Sequence, residues 1–249
     1  MTQNNLPFKV DVLFTGFSGK LTTGGLGWSS LALIQKDGHN ILVDTGGPVV
    51  RGRLKGLLEQ RGLSFRDIDM ILLTHLHSDH VHNLDFFPHA TIVFSNADWE
   101  YVHSVANIDF DAPEVAFGLI RAMDKKLLFE DGEEILPGLT TMFIPGHTPG
   151  CVAYVLDQNG EKWAFTGDAA KNRGEMTTME LQITLDADAH KKSIQRILAT
   201  CDRVLPGHDT WLRIRDGKVI PEAPNEITFE FAQGITANGG QTHVTIRLD

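Results

Sequence analysis

The chain is 249 residues long, 42% hydrophobic and 22% charged, with a formal charge of −10 at neutral pH. That length can bury a full core, and the composition is that of a globular enzyme or binding protein. The acidity argues against a general nucleic-acid binder, which needs basic surface to displace counterions, and no run of about eighteen apolar residues exists to span a membrane.

The N-terminus, MTQNNLPFKV, lacks the basic-then-apolar layout of a secretory signal, so a cytoplasmic location is expected. β-Rich runs follow at VDVLF, LALIQ and NILVD, the last two split by KDGH, a hairpin signal. Between them, TGFSGKLTTGGLGWSS (15–30) is long for a connector. Two readings fit it: a mobile flap with Phe17, Leu21, Leu26 and Trp28 on an apolar underside, or an ordinary glycine-rich surface loop. A helix is expected over 50–61, then strands DMILLT and ATIVFS, then a helix over 96–105 with Asn96 as N-cap. PEVAFGLIRAMD (113–124) reads as a helix with Pro113 in its tolerant first turn. Its Val115, Phe117, Leu119, Ile120 and Met123 are expected as core or dimer contacts. Strands TTMFIP, CVAYVL and KWAFTG precede a helix over 187–199, DRVLPG follows it, and THVTIRL near the end is strand-like. The two cysteines form no CxxC pair, and Cys151 in CVAYVL is expected in the core. Early strand pairs followed by interleaved strands and helices imply mixed sheets with helices packed outside. With no repeat, low-complexity tract or linker, one domain over 1–249 is expected.

The chemistry gathers at strand ends. LLTHLHSDHVHN (72–83) places His75, His77, Asp79 and His80 directly after an apolar run. In a tight loop, residues two apart can project to one side, so His75 and His77 can grip one ion while Asp79 and His80 turn toward a second position. His147 in PGHTPG, Asp168 in FTGDAA and His208 in LPGHD follow three further strands. Each is preceded by glycine, expected to let backbone and metal approach closely. Rigid strand ends are where loops converge to make sites. Imidazole and carboxylate without thiolate suit zinc, manganese, iron or cobalt, and catalytic metal sites leave a position open for water.

HLHSDH, together with PGHTPG, TGDAA, PGHD and the early VDTGG (43–47), resembles the metallo-β-lactamase superfamily over roughly residues 8–210. The resemblance implies an α/β fold, a four-layer αββα sandwich with a two-metal site along its upper edge. Carried over by position, His75, His77 and His147 would hold one divalent ion and Asp79, His80 and His208 the other, with Asp168 bridging. Zinc is the first choice of ion, manganese or iron the alternatives. Zinc β-lactamases of the superfamily carry Cys where this chain has Asp168, and flavin-linked di-iron members carry Glu where it has His77. Glyoxalase II relatives add a helical C-terminal domain, and RNA-processing members carry basic surfaces or inserted arms. The layout is most similar to acyl-homoserine lactonases and like-sized hydrolases, although His82 and Asn83 stand where small residues are usual.

The expectation is a metal-dependent hydrolase of a small ester, lactone or amide, with Asp79 as the catalytic residue that orients the nucleophile or carries its proton. A mononuclear iron oxygenase similar to persulfide dioxygenases, a thioester hydrolase similar to glyoxalase II and a non-enzymatic binder are the alternatives. The expected partner is a small-molecule substrate, not nucleic acid or membrane, with a homodimer admitted. Asp44 in VDTGG either buttresses a ligand histidine or forms a turn. His82 could donate a proton to a leaving group, but a solvated or helix-capping role is the simpler reading. Lys171 and Arg173 could bind a substrate carboxylate, although a solvated loop is preferred. His89 reads as structural, and His39, His103, His190 and His243 receive no role.

Overall fold

The computed structural model describes residues 7–105, 108–112 and 114–248. Pro113 lies outside them, as does the side chain of Val115.

Two sheets carry the fold. The first half of the chain supplies β1 (Lys9–Phe14), a small hairpin of β2 (Lys20–Leu21) and β3 (Gly24–Gly25), then β4 (Leu31–Lys36), β5 (His39–Val43), β6 (Met70–Leu72), β7 (Thr91–Phe94) and β8 (Lys126–Leu128). Helices α1 (Pro48–Glu59), α2 (Ser78–Val81), α3 (Asn96–Val105) and α4 (Glu114–Ala122) fall between these strands. The first sheet runs β1-β4-β5-β6-β7-β8, with β5 to β8 parallel. The second half supplies β9 (Glu134–Leu136), β10 (Leu139–Phe143), β11 (Val152–Gln158), β12 (Glu161–Gly167), β13 (Arg203–Pro206), β14 (Leu212–Arg215) and β15 (Lys218–Pro221). These pair in the order β15-β14-β13-β12-β11-β10-β9. Helices α5 (Arg173–Thr178) and α6 (Ala187–Thr200) belong to this half, and a separate ribbon of β16 (Asn225–Glu230) and β17 (His243–Leu248) follows.

The apolar runs are apolar because both faces of these strands are covered. In β4, Leu31 and Leu33 pack toward α1, where Val50, Leu54 and Leu58 lie, while Ala32 and Ile34 face the second sheet. In β11, Val152, Tyr154 and Leu156 answer from that sheet, and Ala153 and Val155 pack toward Ile194 and Ile197 of α6. Helix, sheet, sheet, helix: the expected αββα sandwich is the observed architecture. Cys151 is buried, and Phe117, Ile120 and Met123 bury into the first helical layer, as expected of them.

β14 and β15 were not anticipated: both are four residues long, LRIR alternates apolar residues with arginine, and KVIP is the mostly exposed edge strand. Their turn, Asp216-Gly217, has both residues at positive φ, the geometry that matches strand twist. Strand directions then position the site. β10 is antiparallel to β11, β11 to β12, and β12 is parallel to β13. The C-terminal ends of β10, β12 and β13 therefore share one edge of their sheet.

Candidate metal centre

The loop after β6 carries His75 and His77, and α2 continues it with Asp79 and His80. His147 follows β10, Asp168 opens a single 3-10 turn after β12, and His208 follows β13. All seven meet. Ligand atoms of His75, His77 and His147 lie within 4.8 Å of one another, as do those of Asp79, His80 and His208, and those of His75, His80 and Asp168. Asp168 sits between the groups: its Oδ1 is 3.2 Å from His80 Nε2 and 3.0 Å from His208 Nε2, and its Oδ2 is 3.5 Å from His147 Nε2. Six of the seven are buried, whereas the Asp79 side chain is 29% exposed.

Each imidazole turns one nitrogen inward because the other is held from outside, which fixes ring and tautomer together. His80 Nδ1 lies 2.7 Å from Asp44 Oδ2, and Asp44 also accepts from the backbone N–H and hydroxyl of Thr74. His77 Nε2 faces Asp109 Oδ2 at 3.3 Å, and Tyr101 donates its hydroxyl to the same oxygen at 2.7 Å. His147 Nδ1 donates to the Ile183 carbonyl at 2.8 Å, and His208 Nδ1 reaches the Phe17 carbonyl at 3.3 Å. His75 Nδ1 lies 3.2 Å from the Thr74 hydroxyl. Of Asp44's two readings, the buttress is the observed one. Asp109 went unread, since nothing in its local sequence points to a partner 32 residues away.

Glycine before His147, Asp168 and His208 is required by the close approach of neighbouring loops. A Cβ on Gly146 would come within 2.3 Å of the His190 backbone, and one on Gly207 within 2.3 Å of Asp168 Oδ1. The freedom from side chains lets ligand loops lie against one another.

The donor arrangement fits a cation. His147 Nε2 and His77 Nδ1 face each other at 3.0 Å, although both rings have their other nitrogen placed as the donor. Two lone pairs at that distance repel until a cation or proton lies between them. His75 Nε2, His80 Nε2 and Asp168 Oδ1 are buried with no hydrogen-bond partner. An unmade bond to a buried polar atom is costly, and three pointing into one space mark an ion's place. Burial drives the His75 and His147 imidazoles well below their usual pKa, leaving them as neutral donors. Burial also opposes charge on His80, but the carboxylates of Asp79 and Asp44 outweigh it and raise that group.

A cavity of about 670 Å³ opens above this cluster, reaching Asp79, His77, His147, Asp168 and His208. Its walls come from the 15–30 loop through Phe17 to Lys20, from Asp111, and from residues 171–183. Of the four apolar residues expected beneath that loop, Phe17 alone lines the cavity, while Leu21 is exposed. Phe17 and Trp28 exchange backbone hydrogen bonds of 2.8 and 3.1 Å, so the loop is a pinned hairpin.

Three polar residues differ from expectation. Lys171 is not solvated: its side chain is 12% exposed, its Nζ lies 3.4 Å from Asp168 Oδ2, and it donates to the Gln182 carbonyl. Arg173 is not solvated either, and its guanidinium grips both oxygens of buried Asp209, beside His208. His190, left without a role, is fully buried with its ring 6.3 Å from that of His147. His82 is exposed at the end of α2, and Asn83 donates to the carbonyls of Thr45, Gly46 and Gly47. No helix among the described residues is long and apolar enough to cross a membrane.

Known proteins share this framework. To metallo-beta-lactamase domain-containing protein 1 of Xenopus laevis the chain is 32% identical over 213 residues, which cover 84% of this chain and 82% of that protein. To N-acyl homoserine lactonase AttM of Agrobacterium fabrum it is 26% identical over 164 residues, 59% of this chain and 60% of the relative. Its fold is similar to that of a probable metal-dependent hydrolase from Staphylococcus aureus, with a TM-score of 0.70 and 17% identity over 87% of this chain and 97% of the other. AidC, a dizinc quorum-quenching lactonase, gives a TM-score of 0.68 and 19% identity over 80% of this chain and 81% of its own. The model of the metallo-beta-lactamase superfamily matches residues 24–208, and the chain belongs to that superfamily.

Proposed function

We propose that the protein is a two-metal hydrolase of a small-molecule ester, lactone or amide, with zinc as the first candidate ion and manganese or iron next. One observation carries the reading: buried ligand atoms from separate strand ends face one another unpartnered. His75, His77 and His147 would hold one ion, Asp79, His80 and His208 the second, with Asp168 shared. When bound, the pair supplies Lewis acidity and brings the pKa of a shared water toward neutrality.

The chain's own residues do the rest. Hydrolysis joins water's oxygen to the acyl carbon, breaks the acyl–oxygen or acyl–nitrogen bond, and moves one proton from water to the leaving atom. Asp79 is the group placed to carry that proton, because it lines the cavity with the most exposed side chain of the seven, 29%. Lys171 lines the same cavity with its ammonium against Asp168, where it can balance negative charge building beside that carboxylate. Asp44 and Asp109 keep His80 and His77 in the donor tautomer. The likeness to lactonase AttM supports placing esters and lactones ahead of amides. An oxygenase built on a single ion would need only the first cluster, and no feature of the second favours it.

The test is metal quantification on the purified chain beside a screen of lactones, esters, thioesters, amides and phosphodiesters. Two ions per chain are expected, with lactone or ester hydrolysis abolished by chelation and restored by zinc. Hydrolysis undiminished after metal removal sinks the reading. One iron per chain with oxygen consumed, or a clear preference for phosphodiesters, would replace it.

A further inference from the structure

Two stretches of the chain, SFRD (64–67) and SNAD (95–98), share the pattern Ser-x-x-Asp, and the fold uses them differently. In the first, the carboxylate turns back onto its own cap, and Asp67 Oδ2 accepts the Ser64 N–H at 2.7 Å. In the second, Ser95 Oγ accepts the Asp98 N–H at 3.1 Å, so Ser95 rather than the expected Asn96 caps α3. The Asp98 carboxylate then leaves the helix. Its Oδ2 accepts the Leu76 N–H at 2.7 Å, from 22 residues away. Leu76 is the residue between His75 and His77.

The same helix start reaches the His147 loop. Ser95 Oγ donates to the Gly150 carbonyl at 2.7 Å. The two segments are pressed together there, because a Cβ on Gly150 would lie 2.2 Å from both the Asp98 amide nitrogen and Ser95 Oγ. The Thr148 hydroxyl and the Gly150 amide favour the ionised Asp98 carboxyl, but burial outweighs them and pushes it up. Asp98 is 1% exposed, and its Oδ1 has no hydrogen-bond partner. The carboxyl therefore serves as one acceptor for one amide, set between two ligand loops.

We propose that Asp98 is a positioning residue for the ion held by His75, His77 and His147. By fastening the Leu76 amide to the start of α3, where Ser95 fastens Gly150, it sets how far the His75 and His77 pair stands from His147. The inference rests on the two-ion reading above. Asp98 makes no hydrogen bond or ion pair to any of the seven ligands, so it acts through the backbone. Asp109 and the Ile183 carbonyl orient single rings, whereas Asp98 spaces the loops that carry them.

Chelator competition on zinc- and cobalt-loaded protein tests this. Asp98→Ala should weaken the three-imidazole site about tenfold or more and alter its cobalt absorption, with the other site unchanged within about twofold. Asp98→Asn keeps an acceptor for Leu76 and should stay within about threefold of wild type. Ser95→Ala, which cuts the tie to Gly150, should act in the same direction by less, and carries the test if Asp98→Ala does not fold. Leu58→Ala, a core deletion at the end of α1 away from the site, matches the loss of Tm and should change neither site. A second readout needs no ion. In metal-free protein, amide exchange should quicken over 72–83 and 144–151 together in Asp98→Ala, beyond Leu58→Ala, and not in Asp98→Asn. Two ions bound with wild-type affinity by Asp98→Ala overturns the role of Asp98 and leaves the hydrolase reading standing. Equal weakening of both sites, a matching effect of Leu58→Ala, or unchanged exchange over 72–83 also overturns it. A wild type that takes up no ion defeats both readings.

Discussion

The two ligand clusters are neighbours built on opposite principles. His75, His77 and His147 offer three nitrogens, and burial keeps His75 and His147 neutral. Asp79, His80 and His208 include a carboxylate; burial opposes charge on both imidazoles there, but nearby carboxylates outweigh it and raise them. The first seat is a buried set of imidazoles, the second includes a partly exposed carboxylate and is balanced by charge. The difference teaches where each task belongs: an all-imidazole buried seat fixes an ion, while one with an exposed carboxylate can exchange protons with a substrate.

Asp168 is the residue that makes the two seats one site, so its loss is the severest way to break the comparison. Asp168→Ala should cost about 100-fold or more in kcat/KM, beyond the usual toll of losing an outer partner. Metal content should fall at both seats. Retention of two ions and most activity in that variant would mean that the clusters act separately.

Outer partners sharpen the contrast, because Asp109 contacts a ligand ring of the first seat directly and Asp44 one of the second. Asp109→Asn should weaken binding at the first seat, and Asp44→Asn at the second, each by roughly 10–100-fold. Competition with a chelator, followed by the absorption of cobalt-loaded protein, separates the seats. Equal weakening of both by either variant would refute the assignment of partners to rings.

How much of this was legible follows from where each signal resides. The seven ligands were readable because histidine and aspartate crowd into HLHSDH, and because the others stand just past apolar strands that must be buried. The sandwich was readable for the same reason, since LALIQ and CVAYVL allow no exposed face. Contacts across the fold left no trace. Asp109 lies 32 residues from His77, and Arg173 lies 36 from Asp209. Lys171 looked like loop because its short segment is polar; its burial depends on Gln182 and Glu175 packing around it. His190 read as an ordinary helix position, since only the fold lays α6 beneath the His147 loop.

His190 supplies the smallest effect and a test confined to the first seat's surroundings. Its Nε2 lies 3.0 Å from the Ala169 carbonyl and its Nδ1 3.0 Å from the Thr184 hydroxyl, which itself donates to the Gly146 carbonyl. Burial holds this imidazole below its usual value near 6.5. The unfolded chain then takes up the proton more readily than the folded one, so stability is fully present above that value and declines as pH falls through it toward the folded pKa. In zinc-loaded protein the ligand imidazoles are kept unprotonated by the ions, and the other histidines are common to both proteins, so the difference between wild type and variant reports His190. Wild-type Tm should therefore drop more between neutral and mildly acid pH than that of His190→Gln, whose amide keeps a donor for Ala169 and does not titrate. Parallel pH profiles for the two proteins would show that burial does not lower the His190 imidazole.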